Sequence, residues 1–119
     1  MHCREITKHD FTKVGGLLCE VISQMNNQFN VPMRYNIEKI QKEFNSNLND
    51  QLSVAYGCWE NKKLLGLGVF QIGTAYHEKD TLSFVEKVLH PDPTLPKTKQ
   101  AKVMIKLIEY NEKRAAETN

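Results

Sequence analysis

The chain has 119 residues, 40% of them apolar and 25% charged, with a formal net charge of +2. That length fits one small domain able to bury roughly two-thirds of its unfolded surface. The balance of 16 basic against 14 acidic residues argues against nucleic acid binding driven by bulk charge.

No stretch approaches the ~18 apolar residues of a membrane-spanning helix, so no membrane partner is expected. The opening MHCREITKHDF lacks the apolar run of a secretory signal, and the expectation is residence in the cytosol. Cys3, Cys19 and Cys58 form an odd set without a C-x-x-C pair. That disfavours a disulfide framework and a zinc site, and reads as small buried thiols with no metal.

His2 to Ile6 is the first predicted strand. Thr7 follows as a helix N-cap, Asp10 completes a capping pattern, and Ile6 with Phe11 makes a hydrophobic staple. Phe11, Val14, Leu18, Val21, Ile22 and Met25 recur at helical spacing, which predicts a first helix ending near Met25. Gly15 and Gly16 inside it each cost about 1 kcal/mol relative to alanine and point to close packing or a bend. NNQFNVPMRYN, from Asn26 to Asn36, reads as a loop carrying the large side chains Phe29, Met33, Arg34 and Tyr35. Asn36 then caps a second helix with Ile37, Ile40, Phe44 and Leu48 on one stripe.

From Leu52 the period becomes two. Leu52, Val54, Tyr56 and Cys58 alternate with Ser53, Ala55 and Gly57, as a half-buried strand does. ENKK is a hairpin turn, and Leu64 to Gly73 is the returning strand, where Gly66 and Gly68 signal a bulge or a close backbone approach. After HEKD, Thr81 to Leu89 is a further strand. The last helix spans about Lys97 to Ala116, with Ala101, Met104, Ile105, Ile108 and Ala115 on one apolar face. The order β-α-α-β-β-β-α predicts an α/β (α+β) fold, a small, mostly antiparallel sheet with helices on its faces.

REITKHDFTKVGGLL, VAYGCWENKKLLGLGVF and VEKVLHPDPTLPKTKQAKVMIKLIEYNEKRA together carry a resemblance. They are similar, in turn, to three parts of the GNAT superfamily of acyl-CoA N-acyltransferases. These are its first strand and helix, its second and third strands, and its fourth strand with the V-x-P-x-x-R/Q-G loop and following helix. The resemblance runs from Arg4 to Thr118. More narrowly, the chain resembles the short GNAT-like proteins of tailed bacteriophages.

What the resemblance implies is specific. Acetyl-CoA would lie with its pantetheine along Val88 and Leu89 and its pyrophosphate on the turn formed by Lys97, Lys99, Gln100, Ala101 and Lys102. Glu86 is the carboxylate on the fourth strand that a catalytic base requires. The Asn26–Asn36 loop and the strand-end pair Tyr76 and His77 would face an acceptor or pack the sheet, and His90 reads as a strand-end residue. Lys99 stands where the family has glycine, and Pro96 near its arginine or glutamine, so the turn keeps charge and loses close approach. Lysines at a helix start oppose its dipole, which points to a bound anion or a partner.

The chain ends at Asn119, where a fifth strand is expected. On this reading it is a single domain, 1–119, an incomplete GNAT fold whose fourth strand has an unpaired edge. The expected function is that of a GNAT-derived, non-catalytic interaction protein or virion component, docking through that edge and the basic helix. A protein partner or a second copy would cover the edge. The alternative is an acetyl-CoA-dependent N-acetyltransferase completed by a second subunit or a missing segment.

Overall fold

Four strands form one antiparallel sheet in the order β1 (His2–Glu5), β2 (Ser53–Glu60), β3 (Lys63–Thr74) and β4 (Leu82–Pro91). The computed structural model describes residues 1–29, 42, 53–74 and 82–118. Helices α1 (Phe11–Phe29) and α2 (Lys97–Thr118) cover opposite faces of the sheet. The expected Asn36–Leu48 helix lies outside the described residues apart from Lys42, as do Met33, Arg34, Tyr35, Tyr76 and His77.

The first β-to-α corner follows from a few polar groups. Thr7 is extended, and its N–H and hydroxyl donate to Asp10 Oδ2 at 2.9 and 3.2 Å. Arg4 grips the same carboxylate through both nitrogens, at 2.8 and 2.9 Å. The cap predicted at Thr7 is therefore present, but it opens a 3-10 turn, Lys8–Asp10, and the α-helix begins one turn later. The helix also runs past Met25 to Phe29, because Asn26, Asn27 and Gln28 are tolerated in a helix and the first proline comes only at Pro32. Gly15 and Gly16 do not mark close packing, since a Cβ added at either would meet nothing within 4 Å.

The β2–β3 hairpin turns at Asn61, whose φ of 58° lies in the left-handed region that asparagine tolerates. Tyr56, Gly57, Cys58 and Trp59 are all buried, so β2 is covered on both faces where its alternation predicted one. Tyr56 and Cys58 pack with Leu65, Phe70, Val103 and Leu107 beneath α2. Trp59 packs with Ile6, Val14, Leu17, Leu64, Leu67 and Val69 beneath α1.

Gly66 is the close approach that the sequence predicts. A Cβ there would lie 2.4 Å from Val103 Cγ1 and 3.3 Å from the His90 carbonyl. Cys58 pairs with Gly66 and Trp59 with Leu64, leaving Leu65 as the extra residue of a bulge. A second irregularity follows in β4, where Val69 pairs with Val88 and Phe70 with Glu86, so Lys87 has no ladder partner.

The sheet meets a different side of α2 from the one its sequence favoured. Val103, Leu107 and Asn111 are buried, whereas Ile105 and Ile108 are 54% and 37% exposed and Ala101 is also exposed. At 3.6 residues per turn these two stripes lie on roughly opposite sides of the helix. Val103 faces the sheet because it is the side chain that fills the hollow over Gly66.

Candidate functional site: the turn at the start of α2

Asp92 organises the turn between β4 and α2. It is 7% exposed, and its N–H donates to the Leu65 carbonyl at 2.8 Å, tying the turn to the bulge in β3. Its Oδ1 accepts from the Thr94 N–H at 2.9 Å and the Thr94 hydroxyl at 2.7 Å. The Leu95 N–H donates to the Asp92 carbonyl at 3.2 Å. Pro93 and Pro96 have no N–H to offer. From the helix side, Gln100 Nε2 donates to the Leu95 carbonyl at 2.8 Å and reaches the Pro93 carbonyl at 3.4 Å. The turn thus spends its own donors on itself. Lys97, Thr98 and Lys99 occupy the first helical turn, where an α-helix leaves its leading N–H groups without an intrahelical partner.

Two clefts flank this turn. The smaller, about 260 Å³, is lined by His90, Pro91, Pro93, Lys97 and Gln100 with Val21, Gln24 and Met25 of α1. Burial pushes the His90 imidazole below its ordinary pKa, which favours the neutral ring. The larger, about 680 Å³, opens between α1, the hairpin and the turn, with Lys13, Lys63 and Lys99 facing Glu20, Glu60 and Asp92. Lys99 is drawn to that side by Glu60, 3.1 Å away, and its ammonium holds the Glu60 carboxyl below its usual range.

The residues expected to hold a cofactor therefore divide. Lys97 and Gln100 border the smaller cleft, while Lys99 belongs to the larger. Ala101 and Lys102 are exposed on the outer side of α2. Val88 and Leu89 are half-buried on opposite faces of β4, packing toward α1 and α2 respectively. Glu86 is described by its backbone alone, opposite Phe70 beside the unpaired Lys87. The closure by Asp92 and Thr94 was missed, although Asp-Pro-Thr carries its signal: a short side-chain acceptor two residues before a backbone donor.

Among solved structures, a GNAT family acetyltransferase from Staphylococcus aureus is 14% identical, with 95% of this chain and 78% of that one covered at a TM-score of 0.71. A probable acetyltransferase superposes at 0.75 with 14% identity, covering 99% and 73%. The fold is GNAT-like. An aminoglycoside 6'-N-acetyltransferase from Acinetobacter haemolyticus shares this GNAT-like fold at 11% identity and a TM-score of 0.67, covering 99% and 73%. No family model matches the sequence, and no curated protein matches it either. At these identities the likeness concerns the GNAT-like fold alone.

Among the described residues no helix is long and apolar enough to cross a membrane. No group of three or more histidine, cysteine, aspartate or glutamate side chains among them is placed to hold a metal ion.

Proposed function

We propose that this GNAT-fold protein acts by docking to a protein partner and not by acyl transfer. Asp92 is the observation that carries the reading. Its carboxylate accepts the Thr94 N–H and hydroxyl and so places an acidic group just before the Lys97–Lys102 turn where the resemblance expects a pyrophosphate. Glu60 engages Lys99, one of the cations expected to grip that phosphate. A second anion brought to this turn meets like charge, which opposes binding.

The outer side of α2 suits a partner instead. Ala101, Ile105 and Ile108 form an exposed apolar stripe, bordered by exposed Lys102, Lys106 and Lys113. Exposed Glu109 and Glu112 lie on the same side, so that chemistry favours a protein surface of mixed charge with apolar ridges. The outer edge of β4 adds a second docking element, since among the described residues β4 bonds only to β3. A virion or host-directed component of a bacteriophage is the setting that the sequence resemblance adds.

The alternative, an acetyl-CoA-dependent N-acetyltransferase completed by a second subunit or a further segment, has one observation in its favour. His90, inclined to the neutral form, shares the smaller cleft with Lys97 and Gln100, and a neutral imidazole is able to accept a proton from an amine.

Thermal unfolding with millimolar acetyl-CoA separates the two readings. The docking reading expects no change in midpoint. Bound acetyl-CoA at 100 times its dissociation constant would add about 2.7 kcal/mol, a rise of roughly 5–15 °C. A rise of that size, lost in Lys97→Glu, overturns the docking reading in favour of the transferase.

A further inference from the structure

Cys3 and Cys58 stand 55 residues apart in sequence and directly opposite in space, as Cα partners of the β1–β2 ladder. The ladder's phase determines what kind of pair they form. Ile6 N–H donates to the Ala55 carbonyl at 2.9 Å, so Ile6 and Ala55 occupy a hydrogen-bonded position. Such positions alternate along an antiparallel ladder, which makes Arg4–Gly57 hydrogen-bonded and Cys3–Cys58 non-hydrogen-bonded. In a non-hydrogen-bonded pair the Cα atoms lie about 4.5 Å apart with side chains closer than elsewhere in the ladder. That separation falls inside the range of about 4.4–6.8 Å that a disulfide spans. Both side chains lie on the α2 side of the sheet, with Cys3 packed against the cluster that contains Cys58.

The two thiols differ in access and share their charge. Cys58 is fully buried and Cys3 is half-buried. The thiol that remains protonated donates to the sulfur that ionises, which lowers Cys58 and raises Cys3. Burial raises both thiols, while Lys106 and the N-terminal ammonium lower both. The first proton to leave belongs to the pair and not to either sulfur alone. Cys19, on α1, lies outside this ladder.

We propose that Cys3 and Cys58 are a dithiol–disulfide couple, a covalent modification site that reacts with low-molecular-weight disulfides and ties β1 to β2. Cys3 is the accessible sulfur: when the proton shared by the pair rests on Cys58, the Cys3 thiolate attacks one sulfur of the small disulfide and releases one thiol. The Cys58 thiolate then attacks the Cys3 sulfur of the mixed disulfide and displaces the second thiol. Two protein thiols lose two electrons and two protons, and the small disulfide is reduced to two thiols. Oxidation thus locks the short edge strand to its neighbour. Nothing in the cysteine spacing hints at this, because the pairing exists only in the folded ladder.

The test is incubation of the folded, reduced protein with oxidised glutathione, followed by alkylation and peptide mapping by mass spectrometry. The expected product is an intramolecular Cys3–Cys58 link lighter by two hydrogens, with Cys19 still free to alkylate. Cys19→Ser is expected to leave the link unchanged and Cys3→Ser to abolish it. The wild-type map is decisive by itself if a variant folds poorly. Three outcomes overturn the proposal: both thiols fully alkylated under excess oxidant, Cys3 arrested as the glutathione mixed disulfide, or a link that involves Cys19.

Discussion

Two corners of this molecule use the same residue type to turn a strand into a helix, with opposite electrostatic results. At the start of α1, Asp10 is clasped by the Arg4 guanidinium and capped by the Thr7 N–H, so its charge is matched in place. At the start of α2, Asp92 is held by the Thr94 N–H and hydroxyl, and among the described residues no cation forms an ion pair with it. The first corner is a neutralised clamp that stabilises the fold. The second is a polar closure whose carboxylate stands beside the turn where the sequence resemblance leads one to expect a phosphate. The difference teaches that hydrogen-bond satisfaction and charge compensation are separate jobs, and only the first is done at both corners.

The largest test of that contrast is truncation. Asp10→Ala is expected to cost about 2–3 kcal/mol in urea or thermal unfolding, discounted from a fully buried pair because Arg4 is partly exposed. Asp92→Ala is expected to cost about 1–2 kcal/mol, because it removes a cap without stranding a cation. Equal costs would break the comparison.

Acid provides the next test. Arg4, with help from the Thr7 N–H and against some opposition from burial, holds the Asp10 carboxyl down to about 2. A carboxyl lowered on folding contributes stability that is complete above its unfolded pKa, about 4, and disappears as pH falls through its folded value. About 1–2 kcal/mol is therefore lost between pH 5 and pH 2, again discounted for the exposure of Arg4. Asp10→Asn is expected to flatten that part of the pH–stability curve.

Asp92→Asn sharpens the second corner. It keeps an oxygen for Thr94 and removes the charge, at a cost of under about 1 kcal/mol. Inorganic pyrophosphate is then expected to raise the unfolding midpoint of the variant by a few degrees and to leave the wild type unmoved. An equal rise in both would mean that the Asp92 charge is not what opposes an anion. The smallest effect belongs to Glu60→Gln, which breaks a surface ion pair and is expected to change stability by less than about 0.5 kcal/mol in the same unfolding assay.

Much of the fold was legible because the sequence carries local signals at each boundary. Thr7 and Asp10 mark the first helix start, Glu60–Lys63 the hairpin turn, and Gly66 the place where a helix crosses close to the sheet. The site was less legible. Lys97, Lys99 and Lys102 are neighbours in sequence, yet one borders the smaller cleft, one pairs with Glu60 and one points to solvent. Helical geometry sends Lys97 and Lys99, two residues apart, to different sides, and a charge run read along the chain does not show that divergence.

By itself the sequence determined the order of the described elements, the antiparallel hairpin, the first capped corner and the amphipathic character of the last helix. Those follow from periodicity, caps and turn residues within a few positions of one another. Only the tertiary structure decided which apolar stripe of α2 is buried, because Val103–Leu107 and Ala101–Ile105–Ile108 are both plausible until Gly66 offers its hollow to one of them. It also decided that β2 is covered on both faces, that Asp92 closes its turn from within, and that Cys3 meets Cys58 across the ladder. Each of these depends on residues far apart in the chain, and no local pattern carries that pairing until the fold brings them together.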